Sequence, residues 1–341
     1  MSQAPPSSGH AVLSGAWFAP RRAGQIVVGL LISALQLWLT LRQIELSQAW
    51  QALCSARWWF LAPAVATYFA DLAARTWRWS VLLRPVQRLS WRRLYGVVIL
   101  GYMGNMLLPA RLGELLRAGL LSRRGISGSA ALGSIATERV LDGLTTVAIL
   151  LVASHFLPRP EWLAAGLITV TALFLAALLA LALMLAFRPC VTRVLAHMAA
   201  RYPPSQRLTF WILRFLDGLG VLSRPGLLAG AVGIGLLAWT LSALEYFWIF
   251  RAFDLPLGPM AILFALSAMS LSTIVPSAPG YVGTLEFAGV AVLGALGIAP
   301  ADAFSATVRI HLLQIVPVTV AGLPWAWREG LSPDREMLPP A

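Results

Sequence analysis

Of the 341 residues, 58% are hydrophobic and only 12% are charged. A water-soluble domain carries about a quarter charged residues, and a core of this size cannot hide so much apolar surface, so an ordinary soluble enzyme is excluded and lipid is the expected solvent. The net charge of +12 comes from arginine alone, placed mostly between apolar runs, which argues for topology setting and contact with anionic lipid rather than nucleic-acid binding.

Residues 1–20 are small, polar and Pro-containing, and are expected to form a disordered cytoplasmic tail. Arg21 and Arg22 then precede an apolar run, Ala23–Leu41, that is too long for the core of an export signal and long enough to cross ~30 Å of hydrocarbon. Further runs of spanning length are Trp58–Leu83, Ala136–Leu157, Trp162–Phe187, Pro225–Phe250 and Ala301–Trp327. Two shorter apolar stretches, Leu94–Pro109 and Met260–Pro276, end in Pro and lead through Gly-containing turns into helical segments, Arg111–Arg124 and Gly283–Ile298. Short segments broken in this way fit re-entrant hairpins. The loop with Arg84, Arg88, Arg92 and Arg93 and the long loop 188–224 are strongly basic and should be cytoplasmic, whereas the loops 42–57, 158–161 and 251–254 are nearly balanced and should face outward. The expected fold is therefore an all-α polytopic membrane protein with about six transmembrane helices, two opposed re-entrant hairpins and both termini inside. Its transmembrane domain would cover 21–328, followed by a cytoplasmic tail at 329–341.

The two hairpin regions resemble each other. Asn105-Met-Leu-Leu-Pro109 has its counterpart in Ser272-Thr-Ile-Val-Pro276, and a Gly and a Glu follow in each, Gly113 with Glu114 and Gly283 with Glu286. Gly-Ile follows at 125–126 and at 297–298, and an Arg then enters an apolar helix, Arg139 in one copy and Arg309 in the other. The halves, about 58–157 and 225–327, read as an inverted repeat of the kind that builds alternating-access sites near the midplane.

Charge inside apolar helices is expensive and marks function by default, at about 2.5–3.5 kcal/mol per Arg or Asp on insertion scales. Asp71 and Arg75 lie one turn apart and are expected to pair. Arg111, Glu114 and Arg117 recur at three-residue spacing on the first hairpin, and Glu138, Arg139 and Asp142 cluster in the following helix. Glu245 and Arg309 sit in later spans, and Glu286 opens the helix after the second turn. At broken helices, free backbone amides and the planar guanidinium fork together suit a lipid phosphate. Cys54 and Cys190 have no metal-ligand spacing, and His155, His311 and His10 have no motif around them, so no metal or catalytic group is expected. The turn 276–286 lacks the Gly-Lys-Ser/Thr ending of a nucleotide loop.

Asn105-Met-Leu-Leu-Pro-Ala-Arg-Leu-Gly-Glu-Leu-Leu-Arg117 with Thr-Glu-Arg-Val-Leu-Asp142, together with Pro279-Gly-Tyr-Val-Gly-Thr-Leu-Glu286 and the Arg75-x-x-Arg78 element, resembles the lysylphosphatidylglycerol synthase transmembrane-region (flippase-like) family. The resemblance covers roughly Ala23 to Trp327 and implies a membrane domain that moves or binds lipid head groups. Members include the flippase half of bacterial lipid-aminoacylating proteins and proteins linked to hopanoid and dolichol-sugar pathways. The second turn reads Gly-Tyr-Val-Gly where Gly-Gly-Leu-Gly is more usual, and no aminoacyltransferase domain follows, so lipid aminoacylation does not carry over. The expectation is an inner-membrane lipid flippase without cofactor or enzymatic step. Arg111, Arg117, Arg139 and Arg309 would hold the phosphate, with Glu114, Glu138, Asp142 and Glu286 orienting them. Asn105, Gly113, Gly280 and Gly283 would line the approach. A membrane enzyme of lipid modification and a non-transporting accessory subunit of a lipid-synthesis pathway are the rival expectations.

Overall fold

The computed structural model describes residues 20–108, 111–157, 161–202 and 205–330. Most of the two expected tails, Pro109 at the end of the first short stretch, and part of the loop 158–161 lie outside the described residues. All regular structure within them is helical. Thirteen α-helices follow in order: α1 (Pro20–Leu41), α2 (Leu46–Ser55), α3 (Leu61–Leu82), α4 (Trp91–Leu107), α5 (Leu112–Arg123), α6 (Gly128–His155), α7 (Glu161–Ala186), α8 (Arg188–Arg201), α9 (Gln206–Gly218), α10 (Pro225–Ala252), α11 (Pro259–Ser272), α12 (Thr284–Ala295) and α13 (Pro300–Arg328).

Each of the six long apolar runs is one long helix: α1, α3, α6, α7, α10 and α13. The segments Ile168–Ala186, Pro225–Ala252 and Pro300–Arg328 are long and apolar enough to cross a membrane, with a fourth if α1 and α2, bent by 86°, count as one broken span. The chain is thus a helical membrane protein with three or four strongly apolar spans. α3 and α6 have the length to cross, at about 1.5 Å per residue, but carry Asp71, Arg75 and Arg78, and Glu138, Arg139 and Asp142 in their middles, which lowers their apolarity. Three boundaries depart from expectation, and the first is the expected loop 42–57, which holds the helix α2. α6 begins at Gly128, eight residues before the apolar run, because its first turns are helical yet polar. The expected loop 188–224 is largely helical, forming α8 and the amphipathic α9. α9 buries Leu216 and crosses α6 so closely that a Cβ on Gly133 would stand 2.2 Å from the Phe215 carbonyl oxygen.

Four of the shorter helices, α4, α5, α11 and α12, form two hairpins. The legs α4 and α5 meet at glycine: a Cβ on Gly113 would stand 1.9 Å from the Gly101 carbonyl oxygen. At the open end of this hairpin Arg124 donates to the Arg93 carbonyl at 2.5 Å and pairs with Glu329 beyond α13. The legs α11 and α12 share one core cluster with α10 and α13, built on Phe250, Phe264, Met269, Leu293 and Ile310. A second cluster joins α3 to α6 around Trp79, Leu82, Leu100 and Leu121.

The connections gather at two ends. At one, the Arg57 amide bonds the Ala252 carbonyl at 2.8 Å, Arg57 pairs with Asp254 at 2.9 Å, and Ser305 donates to the Ala49 carbonyl at 2.8 Å. At the other lie the 84–93 connection, the open end of the first hairpin, α9 and the end of α13; a Cβ on Gly220 would touch Pro85 there at 3.0 Å. The basic connections share the second end, and the nearly balanced connections 42–57 and 251–254 share the first.

Candidate functional site

The α3 residues Asp71, Arg75 and Arg78 occupy one helical face, at spacings of four and three. Arg75 Nε donates to both Asp71 oxygens, at 2.9 and 2.7 Å, and its Nη2 reaches Ser242 of α10 at 3.1 Å. Arg78 forks onto Asp142 of α6, at 2.5 and 2.9 Å, and approaches Glu138 at 3.4 Å. Glu138 also receives Arg117 at 2.8 Å and Arg139 at 2.7 Å, and Arg117 stacks over the Trp79 ring at 4.0 Å. Arg78, Arg117 and Glu138 are almost wholly buried. In low dielectric such charges persist only when mutually compensated, so this is a closed ionic girder joining α3, α5 and α6.

Beside the girder lies a cavity of about 290 Å³. Of the residues singled out from the sequence, Asp71, Arg75, Asn105, Arg111, Glu114, Arg139 and Asp142 line it. Arg139 bridges girder and cavity. Its side chain keeps 30% exposure, and besides Glu138 it lies 3.5 Å from both Glu114 and Asp142. Arg111 differs from the others. Among the described residues it makes no ion pair; its Nη2 donates to the Thr273 carbonyl at 3.0 Å and hydroxyl at 2.7 Å, and its guanidinium lies 5.7 Å from the Tyr281 ring centroid. It is held in the left-handed conformation, φ 54°, at the N-cap of α5, and Tyr281 at the opposite tip is also left-handed, φ 62°. For residues with a Cβ that conformation costs roughly 1–2 kcal/mol each, and such strain clusters at binding sites.

The two tips therefore meet at the cavity. Gly280, φ 69°, brings the second tip against the first: a Cβ there would stand 3.0 Å from the Met106 carbonyl oxygen. Gly283, φ 84°, packs on Ser33 of α1, whose hydroxyl receives the Ala278 amide at 2.7 Å. Glu286 accepts the Gly283 amide at 2.7 Å and lies 2.5 Å from His311 Nδ1.

The remaining residues singled out lie elsewhere. Arg117 and Glu138 belong to the girder, and Gly113 lies between the legs of the first hairpin. Arg309 is remote from the cavity, donating to the Leu53 carbonyl at 3.1 Å and lying 4.0 Å from the Trp58 ring. The four arginines thus do not form one cluster.

Sequence reasoning passed over Tyr68, Tyr102, Trp239, Ser242 and Gln314, which also line the cavity, and singled out Glu245, another lining residue, as an intramembrane charge without giving it a head-group role. It also passed over His311. Glu114 and Glu286 are each the third residue of a 12-residue helix, and Arg139 and His311 are each the twelfth residue of the helix that follows. His311 follows Glu286 by 25 positions, the same interval that separates Glu114 from Arg139. That equal interval was the available signal; the shared residue type of Arg139 and Arg309 obscured it.

Residues 26–322 match the model of the family described as lysylphosphatidylglycerol synthase TM region. The glycosyltransferase AglD of Haloferax volcanii is 26% identical, over 87% of this chain and 53% of that protein, so the chain spans about half of that relative's length. The UPF0104 membrane protein MJ1078 of Methanocaldococcus jannaschii is 22% identical over 64% of this chain and 90% of that protein. No solved structure matches the chain.

Proposed function

Because the chain belongs to the lysylphosphatidylglycerol synthase TM region family, we propose that it is a lipid transporter that takes an anionic lipid head group into the central cavity and passes it across the inner membrane. The observation that carries this reading is Arg111, a guanidinium without an acid partner among the described residues, held in a strained conformation where two hairpin tips meet. A lipid phosphate would accept its free donors, helped by the amides at the N-terminus of α5. Arg139, Asn105 and Glu114 border the same space, and the buried Asn105 Oδ1 has no hydrogen-bond partner among the described residues. On this reading α4–α5 and α11–α12 are re-entrant hairpins of an inverted repeat, entering from opposite faces and meeting near the midplane. The six long helices span, with the arginine-rich end and both termini in the cytoplasm. The lipid leaves chemically unchanged.

The test is movement of a fluorescent phosphatidylglycerol between the leaflets of liposomes holding the full chain, followed by chemical quenching of the outer leaflet. Losing a charge-assisted hydrogen bond costs about 1.5–3 kcal/mol, so Arg111→Gln should slow movement by roughly tenfold or more while leaving the protein folded. Wild-type rates in a folded Arg111→Gln protein would refute this assignment. A second reading, chemistry on the head group, draws on the similarity to AglD, a protein named as a glycosyltransferase. Mass spectrometry of the same liposomes decides between them, since an altered lipid would favour the enzyme.

A further inference from the structure

His311 of α13 is buried, and both its ring nitrogens face oxygen. Nδ1 lies 2.5 Å from Glu286 Oε1, and Nε2 lies 2.5 Å from the Gly280 carbonyl. A carbonyl can only accept, so Nε2 must carry hydrogen. The other contact then needs a proton of its own, on Nδ1 or on the carboxyl. Glu286 Oε2 already accepts the Gly283 amide at 2.7 Å, at the third position of α12, and the positive end of a helix favours the carboxylate. The proton belongs on the imidazole, giving an imidazolium between a carboxylate and a carbonyl.

We propose that Glu286, His311 and the Gly280 carbonyl form a proton-binding site that clamps the tip of the second hairpin to α13. Removal of the proton leaves either neutral tautomer with a lone pair against an acceptor. With hydrogen on Nε2 the contact to Glu286 becomes repulsive; with hydrogen on Nδ1 the contact to Gly280 does. One of the two ties is lost in either case. The backbones around the site cannot easily absorb the mismatch, because α12 and α13 cross tightly; a Cβ on Gly289 would stand 2.1 Å from Thr307 Oγ1. That leaves the tip, tied otherwise by the Ala278 amide to Ser33, to respond, and it carries Tyr281, which lies under Arg111 and lines the cavity.

Few other charges bear on the site. On α13, Arg309 turns away to the Leu53 carbonyl and Asp302 lies near the helix start. Arg111 approaches from the head of α5, and Glu245 of α10 lines the cavity together with Gln314. α11, α12 apart from Glu286, and α1 over Val27–Leu41 contain no charged residue. The first hairpin shows the contrast. There Glu114 faces Arg139, whose charge is permanent, whereas the second hairpin answers the equivalent glutamate with a group that titrates. One tip is held by a fixed charge and the other by a proton. That the released tip serves lipid passage, with the proton as coupling ion, rests on the transporter reading; the clamp itself does not.

The test uses the full chain in lipid nanodiscs. Nitrogen-15 NMR of the histidine rings, with His311→Gln to assign the resonance among four histidines, should show two N–H groups on His311 at pH 6. Glu286→Gln should remove one of them. Spin labels at Val282→Cys and Leu107→Cys, in a background with Cys54 and Cys190 replaced by serine, should give a narrow distance distribution at pH 6. That distribution should broaden by pH 9.5, and in His311→Gln it should be broad at both. A single N–H on His311 at pH 6, two N–H groups surviving Glu286→Gln, or a wild-type distribution that stays narrow to pH 9.5 would each overturn the proposal. If site and tip respond while fluorescent phosphatidylglycerol moves at no pH, the clamp stands and the transporter reading falls.

Discussion

The arginines of this protein have different duties although the sequence presents them alike. Arg111 and Arg117 are six residues apart, yet one has no acid partner among the described residues and faces the cavity, and the other is sealed under Trp79 against Glu138. Spacing told which helix each belongs to and foresaw the Asp71–Arg75 pair, but Arg117 and Arg78 pair with partners 21 and 64 positions away, which no local pattern shows. The energetic consequence differs accordingly. Glu138→Gln leaves Arg78, Arg117 and Arg139 sharing a neutral amide in a nearly dry setting, and should cost about 3–5 kcal/mol. Arg111→Gln breaks no ion pair, only the hydrogen bonds to Thr273, and should cost less, about 1.5–3 kcal/mol at most. Reversible unfolding in mixed micelles distinguishes the two; equal losses would mean that the girder is not what holds α3, α5 and α6 together.

At the scale of elements, the long helices were legible because unbroken apolarity is a strong signal, and the two hairpins because Pro and Gly interrupt it. α8 and α9 were not, since a polar, arginine-bearing helix resembles a loop when only hydropathy is read. The junction between the tips was legible only in part: Gly280 and Gly283 stood out, but nothing in the chain says that Met106 and Ser33 are the surfaces they meet. The first hairpin offers a matched pair of substitutions. Gly113→Ala drives a methyl into the Gly101 carbonyl and should destabilise the protein by about 1–3 kcal/mol or more, opening the legs. Gly119→Ala, on the same helix but with open space around it, should be neutral or stabilising by up to about 1 kcal/mol. Thermal unfolding of the two variants side by side is the check; similar melting temperatures would show that the legs do not depend on that contact.

The whole molecule sorts its charge between two ends, and it carries a natural reporter at each. Cys54 lies in α2, with the Arg57–Asp254 pair, and Cys190 lies in α8 at the arginine-rich end; both are exposed. If arginine-rich connections stay in the cytoplasm, a membrane-impermeant thiol reagent should label Cys54 in intact spheroplasts and Cys190 only after permeabilisation. The reverse pattern would invert the orientation of the entire bundle, hairpins included.

α7 stands apart from this economy of charge. Over Ile168–Ala186 only Leu181 is buried, while Phe174 alone reaches the cavity lining, pressed where a Cβ on Gly143 would stand 1.9 Å from its ring. A helix in that position is selected by its solvent more than by its neighbours. Its sequence is free to drift among Leu, Ile, Val, Ala and Phe, and two descendants of a common ancestor could share almost no α7 residues yet keep the same fold. Phe174 and Leu181, which packs against Val140, Leu216 and Leu219, are the exceptions over Ile168–Ala186, the positions where inheritance should be strict.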